Sequence, residues 1–237
     1  MPSQEHILVL GATGVSGLIF VKQVQKLPES SRPRLTLYVR SRAKLTEGIK
    51  LDSSIRTYEG ALDNEKALSD AMSDGVTTVV SFLGAYPSLK SFLLRSKTPL
   101  PITDAMPTIF SAMRSNNVKR IFVLSTPGGY RTKDEPPLTW YWYIFAYVMP
   151  KLFVPQGGAE MQNIAEVTAK QDDLDWTIYR VPHLNEDDEN RKVIAGPLDH
   201  EYKGTIELSR GSLGKWILKE IEERQWIKGV AMVSNPS

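Results

Sequence analysis

Two hydrophobic patterns alternate along the first 180 residues of the chain. Short runs that are rich in Val, Ile and Leu predict buried strands, at 7–10, 35–39, 55–58, 77–82, 121–124 and 176–179. Longer segments in which apolar residues recur every three or four positions predict helices, at 15–26, 64–72, 106–115 and 159–171. Strands such as "TTVVSF" are apolar on both faces, as is typical of a parallel sheet that helices cover on both sides.

This alternation predicts an α/β fold with a Rossmann-like, doubly wound parallel sheet. After Arg180 the pattern changes to short strand-like pieces at 192–194, 204–208 and 230–233, with a helix at 214–224. At 237 residues the chain is read as a single domain, 1–237. Residues 181–237 are expected to contribute a small C-terminal lobe on the substrate side.

The stretch "ILVLGATGVSG" predicts a strand that turns directly into a helix. Its glycines, Gly11, Gly14 and Gly17, let the backbone approach a ligand closely, and the helix start offers unpaired N–H groups to an anion. Glycines also serve ordinary strand-to-helix turns, but the order of strand, loop and helix here favours a dinucleotide site.

The end of the second predicted strand indicates which dinucleotide binds. It reads "RSRAK", with Arg40, Arg42 and Lys44 and with no acid to hold a ribose hydroxyl. Guanidinium groups pair well with a phosphate, so this segment favours NADP(H) over NAD. The alternative is that the three cations only begin a solvated helix.

Two further strand ends fall on the same edge, because ligands of such sheets bind outside the carboxyl ends of the strands. "FLGAY" places Leu83, Gly84 and Ala85 there, and "LSTPGGY" places Ser125 and Thr126 there. The two hydroxyls are candidates to bind cofactor or substrate, and the alternative for them is turn formation or helix capping.

The motifs "GATGVSG", "YVRSRAKL", "GALDN", "VVSFLGA", "RIFVLST" and "LDWTIYRVPHL" resemble the atypical short-chain dehydrogenase/reductases of the NmrA-like and biliverdin-IXβ (flavin) reductase-like group. The resemblance implies that NADPH contacts Gly11, Thr13, Gly14 and Val15, with its 2′-phosphate on Arg40 and Lys44. It further implies that the adenine lies near Ala61 and Leu62, the pyrophosphate-ribose path near Leu83 and Gly84, and the nicotinamide between Ser125, Thr126, Pro182 and His183. Ala61 departs from the aspartate common in relatives.

Two candidates for proton transfer stand in the sequence. Tyr147 and Lys151 match a Tyr-x-x-x-Lys pair, but Pro150 interrupts the helix that would align them, and the resemblance places that position at 157–162. His183 is the preferred candidate, with Ser125 and Thr126, because an imidazole exchanges protons near neutral pH. The alternative for His183 is a simple hydrogen bond to a loop carbonyl.

The segment 138–154, "LTWYWYIFAYVMPKLFV", is too short and too interrupted for a membrane span. It is expected to be partly helical and to form an aromatic wall or lid over an apolar substrate, bordering the nicotinamide. The alternatives are contact with a membrane interface or with a second copy in a homodimer.

The net charge and the absence of cysteine limit the kinds of partner and chemistry that the chain can have. A net charge of +2, with scattered basic residues, does not indicate a nucleic-acid partner, and the absence of cysteine excludes disulfides and thiolate chemistry. No metal site is indicated, and a cytoplasmic protein, monomeric or homodimeric, is expected.

The function predicted is an NADPH-dependent reductase of an apolar, ring-containing small metabolite. The alternatives are an isomerase or cyclase that retains NADP, and an NADP(H)-sensing regulator of the NmrA type.

Overall fold

Parallel strands and helices alternate through the computed structural model, which describes residues 5–45, 49, 52–84, 101–133, 135–149, 152 and 155–236. The strands are β1 (His6–Leu10), β2 (Arg34–Val39), β3 (Ile55–Glu59), β4 (Thr78–Ser81), β5 (Arg120–Ser125), β6 (Asp175–Arg180), β7 (His183–Asn185), β8 (Ile194–Gly196), β9 (Glu207–Ser209) and β10 (Gly229–Ser234). The α-helices are α1 (Val15–Lys26), α2 (Glu65–Met72), α3 (Pro101–Ser115), α4 (Trp140–Tyr143), α5 (Pro155–Ala169) and α6 (Arg210–Glu223).

Eight of the strands form one sheet in the order β3-β2-β1-β4-β5-β6-β10-β8, and all but the antiparallel edge strand β8 are parallel. The order reverses between β1 and β4, which is where ligands bind in folds of this type. The Rossmann-like fold expected from the sequence is thereby confirmed. β7 and β9 pair in parallel as a separate two-stranded sheet.

Each face of the large sheet carries its own core. Alternate residues of β1 point to opposite faces, so Ile7 and Val9 pack in one core and Leu8 and Leu10 in the other. Helices α1 and α6 cover the first face, and α2, α3 and α5 cover the second. The Gln23 side chain fixes α1 to α6 by donating to the Gly211 carbonyl at 2.7 Å.

Differences from the sequence-based prediction concentrate after Arg180. The predicted strand at 230–233 lies in β10, inside the main sheet beside β6, rather than in a separate lobe. Its residues from 230 to 234 are buried, which suits a strand that is covered on both faces. Helix α6 begins at Arg210, earlier than predicted, because the Ser209 hydroxyl accepts the Ser212 N–H and caps the first turn.

A buried ion pair joins helix α6 to strand β5 of the sheet. Arg120 and Glu220 are 3.2 Å apart, with side chains only 3% and 2% exposed. Glu220 also accepts the backbone N–H groups of Gln225 and Trp226, and Arg120 donates to the Thr177 hydroxyl at 2.7 Å. Burial lowers the pKa of Arg120 to about 10, and the Glu220 carboxylate opposes that shift.

We expect Glu220→Gln to lower the free energy of unfolding by about 3–5 kcal/mol, because it leaves a buried guanidinium without its counter-charge. Glu222→Gln is the matched control, since Glu222 is exposed on the same helix. Urea denaturation monitored by circular dichroism measures both. Equal effects of the two substitutions would show that the buried pair does not support the fold.

Candidate cofactor and active site

The turn from β1 to α1 is built on two close backbone approaches. Gly11 has φ +79°, a left-handed conformation that glycine adopts without strain, and a Cβ there would lie 3.0 Å from the Phe82 carbonyl carbon. A Cβ on Gly17 would lie 2.4 Å from the Gly11 carbonyl oxygen. Both positions therefore require glycine, and the loop lies flat against the end of β4.

The first turn of α1 is open to an anion. Gly14 precedes the helix in an extended conformation and has no side chain to cap it, and the first turn of the helix carries no acid. Val15 is exposed, and Thr13 and Gly14 are partly exposed. Since the first N–H groups of a helix lack intrahelical partners, this geometry fits a pyrophosphate at the positions expected from the sequence.

Cations follow the end of β2. The Arg42 side chain donates to the Thr57 carbonyl at 2.7 Å, and its backbone N–H donates to the Glu59 carboxylate at 3.0 Å. By contrast, Arg40 and Lys44 are exposed, and neither side chain has a partner within the described part of the chain. Arg40 and Lys44 can thus bind a ligand phosphate, whereas Arg42 is held by residues of β3.

Tyr38 shapes the region where the adenine is expected, and sequence reasoning missed it. Its hydroxyl donates to the Ala61 carbonyl at 2.8 Å, and a Cβ on Gly60 would lie 2.2 Å from that hydroxyl oxygen. Burial raises the pKa of Tyr38, and the nearby charge of Asp63 adds to the shift. Ala61 is exposed and Leu62 is half-buried, so the two predicted adenine neighbours lie beside a surface that Tyr38 holds in place.

The ends of β4 and β5 present different residues to solvent. Leu83 and Gly84 are partly exposed after β4, whereas Ala85 lies outside the described residues. The Ser125 hydroxyl is fully buried and donates to the Met161 carbonyl of α5 at 3.2 Å. A Cβ on Gly129 would lie 2.2 Å from that hydroxyl oxygen, so the following loop closes over it.

Ser125 therefore holds α5 against β5 in this structure, and its contact with a cofactor stays a prediction. Thr126 follows it and is partly exposed, and its carbonyl accepts the Gly129 N–H at 2.9 Å. Of the two predicted hydroxyls, Thr126 has the more accessible position.

A buried ion pair lies at the end of β6, and sequence reasoning did not identify it. Arg180 is fully buried, and its two terminal nitrogens donate to the two carboxylate oxygens of Glu135. Arg131 lies 3.6 Å from the same carboxylate, which also accepts the Leu198 N–H. The signal in the sequence is a charged residue that ends an otherwise apolar strand, "WTIYR".

His183 lies just beyond this ion pair. Pro182 before it is buried, the His183 side chain is exposed, and its backbone N–H donates to the Ile206 carbonyl at 3.0 Å. No described residue hydrogen-bonds the imidazole, so the loop-carbonyl alternative is not observed there. The Val181 N–H donates to the Ser125 carbonyl at 3.1 Å, which brings the segment before His183 to the edge where Thr126 lies.

The aromatic segment is partly helical, as expected, with α4 followed by a π-helical turn over Ile144–Val148. Trp142 is buried and packs against Leu198, Met232 and Tyr202. Tyr147 lines a hollow of about 410 Å³ between α5, which contributes Gln162 and Glu166, and the loop after β5. Pro150 and Lys151 lie outside the described residues, so the Tyr147–Lys151 pair has no observed geometry.

The sequence model of the NAD(P)H-binding family matches residues 11–224. The chain belongs to this NAD(P)H-binding family. The match covers the glycine loop, all the strand ends described above and helix α6, and it confirms the resemblance predicted from the motifs. A nicotinamide cofactor follows from family membership, and the open α1 terminus fits it. Among the curated proteins, none matches the sequence significantly.

Solved structures share the fold over nearly the whole chain. A wide-type short-chain dehydrogenase/reductase from Veillonella parvula, in complex with NADP, has a TM-score of 0.75 and 18% identity, covering 98% of this chain and 95% of its own. ChuY, an anaerobillin reductase from Escherichia coli O157:H7, has a TM-score of 0.69 and 14% identity, covering 98% of each chain. A Rossmann-fold NAD(P)-binding family protein from Shigella flexneri has a TM-score of 0.69 and 19% identity, covering 99% of this chain and 95% of its own.

We expect Gly17→Ala to weaken dinucleotide binding by at least about tenfold, which is roughly 1.4 kcal/mol. The added methyl group would push the Gly11 carbonyl and tilt the amides that face the anion. Gly196→Ala is the control, because a Cβ there would meet only Tyr202 at an ordinary 3.7 Å. Calorimetric titration with NADPH measures both, and unchanged affinity in Gly17→Ala would contradict the assignment of this loop.

Proposed function

We propose that the protein is an NADP-dependent oxidoreductase that reduces an apolar, ring-containing small metabolite. The observation that carries the choice of cofactor is the pair of exposed cations after β2, Arg40 and Lys44, whose side chains have no partner among the described residues. A carboxylate at that strand end would favour NAD, and none occurs from Arg40 to Thr46. Glu59, on the neighbouring strand, is engaged with the Arg42 backbone.

The chain's own residues define how the dinucleotide would be held. The amides at the start of α1 would bind the pyrophosphate, Arg40 and Lys44 the 2′-phosphate, and the surface around Ala61 and Leu62 the adenine. Bound NADPH supplies a hydride to the substrate.

Groups at the ends of β5 and β6 would supply the proton. His183 is exposed, with no described residue bound to its ring, and Thr126 carries a hydroxyl on the neighbouring strand end. We assign proton donation to a ring nitrogen of His183, and the positioning of the substrate oxygen to the Thr126 hydroxyl. The buried Ser125 hydroxyl would support this edge through α5 rather than react.

Apolar side chains at the same edge support an apolar substrate. Val15 at the start of α1 is exposed, and Leu83 after β4 and Leu184 in β7 are partly exposed. Such surfaces exclude water and favour flat hydrophobic rings over charged metabolites. The apolar side chains near Thr126 and His183 thus support the proposed substrate class.

Arg40→Ala tests the cofactor. We expect the wild type to bind NADPH at least about tenfold more tightly than NADH, a difference of roughly 1.4 kcal/mol, and the variant to lose most of that preference. Lys219→Ala removes the same charge from the exposed surface of α6 and should leave the preference unchanged. Calorimetric titration of both cofactors provides the values, and a wild type without preference would contradict the proposal.

Substitutions at His183 and Tyr147 test the proton donor. NADPH oxidation is first screened by absorbance against quinones, flavins and polycyclic enones. With an active substrate, His183→Gln should lower turnover about 10²-fold, the usual effect of losing a general acid. Tyr147→Phe should change it by less than tenfold, because Pro150 interrupts the helix that would align Tyr147 with Lys151. The reverse result would transfer the role to Tyr147.

A Thr126→Val variant separates positioning from proton donation. Loss of the hydroxyl should raise KM for the substrate and leave the pH dependence of turnover unchanged, whereas His183→Gln should alter that pH dependence. Binding of NADPH without turnover of any substrate in the panel would instead favour the NADP(H)-sensing alternative. Substrate conversion without net NADPH oxidation would favour the isomerase or cyclase.

A further inference from the structure

Exposed apolar side chains concentrate in one short segment. Among the described residues, every exposed large hydrophobic side chain except Val15 lies between Trp140 and Leu152. Trp140 is 75% exposed and Tyr143 is 55% exposed. We call the following set the aromatic stripe: Trp140, Tyr141, Tyr143, Ile144, Val148 and Met149.

The stripe is the outer face of a helix that is apolar on both sides. Trp142 and Ala146, four residues apart, are buried against the protein. Trp140, Ile144 and Val148 repeat the same spacing on the exposed side. No charged residue occurs from Leu138 to Met149. A helix that is apolar all round is normally covered on every side, so the exposed face indicates a missing partner.

The size of the stripe argues against a second copy of this chain as that partner. The segment from Trp140 to Met149 is about 15 Å long and about 10 Å wide. One face of it offers a few hundred Å², below the roughly 800 Å² per partner that a stable protein interface buries.

Its chemistry fits the surface of a lipid bilayer. Tryptophan and tyrosine, mixed with aliphatic residues on one face, prefer the boundary between headgroups and acyl chains. No helix of the described residues is long and apolar enough to cross a membrane. A short helix with such a face lies in the plane of the interface, with its apolar side chains inserted by about 5–10 Å.

Cations beside the stripe indicate the charge of that surface. Lys170 lines the same hollow as Tyr147, and Lys133 lies in the loop before α4. Both are exposed, and neither has a partner among the described residues. Glu166 also lines the hollow and offsets one of these positive charges; its carboxylate accepts a hydrogen bond from the neutral Gln162 amide at 2.8 Å. Arg131 lines it too and lies beside the Glu135 carboxylate. Because Arg131 shares the Glu135 carboxylate with Arg180, the described charges of the hollow and of this loop are net positive, which favours anionic headgroups.

We propose that the aromatic stripe docks the protein on the surface of an anionic lipid bilayer. The inference rests on the exposure and charge of this segment and does not depend on the proposed reductase activity. Docking would bring the loop after β5 close to the membrane, because this loop packs on the segment that carries the stripe. A Cβ on Gly128 would lie 2.1 Å from the Ala146 carbonyl oxygen.

Vesicle flotation of the full chain tests the proposal. We expect binding to phosphatidylcholine vesicles that contain phosphatidylserine, with weaker binding to phosphatidylcholine alone and at high salt. Trp140→Glu combined with Ile144→Glu should lower the bound fraction at least about tenfold, since two charges would enter the interface. The control, Ser30→Glu with Ser53→Glu, adds the same charge at exposed positions elsewhere and should retain most binding.

A second measurement does not depend on the folding of the charged variant. Brominated lipids should quench the tryptophan fluorescence of the wild type, and Trp140→Phe should remove most of that quenching. Absence of flotation with both vesicle compositions overturns the proposal. If light scattering then shows a dimer that Trp140→Glu with Ile144→Glu dissociates, a second copy covers the stripe. If the protein is monomeric and the stripe is protected from chemical labelling, residues of the same chain cover it.

Discussion

The contact between the backbones of Gly11 and Phe82 is the constraint on which the candidate dinucleotide site depends. β1 and β4 are neighbours, and the chain leaving β1 turns so tightly over the end of β4 that only a glycine fits. The same turn sets Gly17 against the Gly11 carbonyl, so α1 begins directly above the sheet. The place where the strand order reverses thereby receives the N-terminus of a helix, and this geometry fits an anion.

At the end of β6, the structure depends on an ion pair rather than on close packing of the backbone. Arg180 and Glu135 are both removed from water, which is unfavourable unless the geometry of the pair is good. Their paired hydrogen bonds join the end of β6 to the loop that leads into α4, and Leu198 is held by the same carboxylate. One buried pair therefore connects the end of β6 with the loop before the aromatic segment. It fixes the shape of the region beyond β6, which has few long elements.

Local patterns predicted most of the scaffold, because α1, the glycine loop and the first six strands each depend on residues near in sequence. The boundaries of α1 coincide with the prediction, and the strands differ from it by one residue at most at either end. Tyr38, the burial of Ser125 and the Arg180–Glu135 pair were not predictable in this way. Each depends on a partner 23 to 45 residues away, and the direction of a side chain at a strand end has no periodic signature. The prediction placed β10 outside the main sheet for a similar reason, since hydrophobic periodicity does not show which distant strands pair.

The position of β10 also constrains the order in which the molecule assembles. β8 precedes β10 in the chain, yet it reaches the main sheet only through β10, which lies between it and β6. β8 therefore has no docking edge until β10 is in place, and this part of the sheet forms through contacts of long sequence separation, which are slow to establish. Opening of β10 in the folded protein would release β8 with it and expose the edge of β6, so the two strands behave as a single cooperative unit of local unfolding.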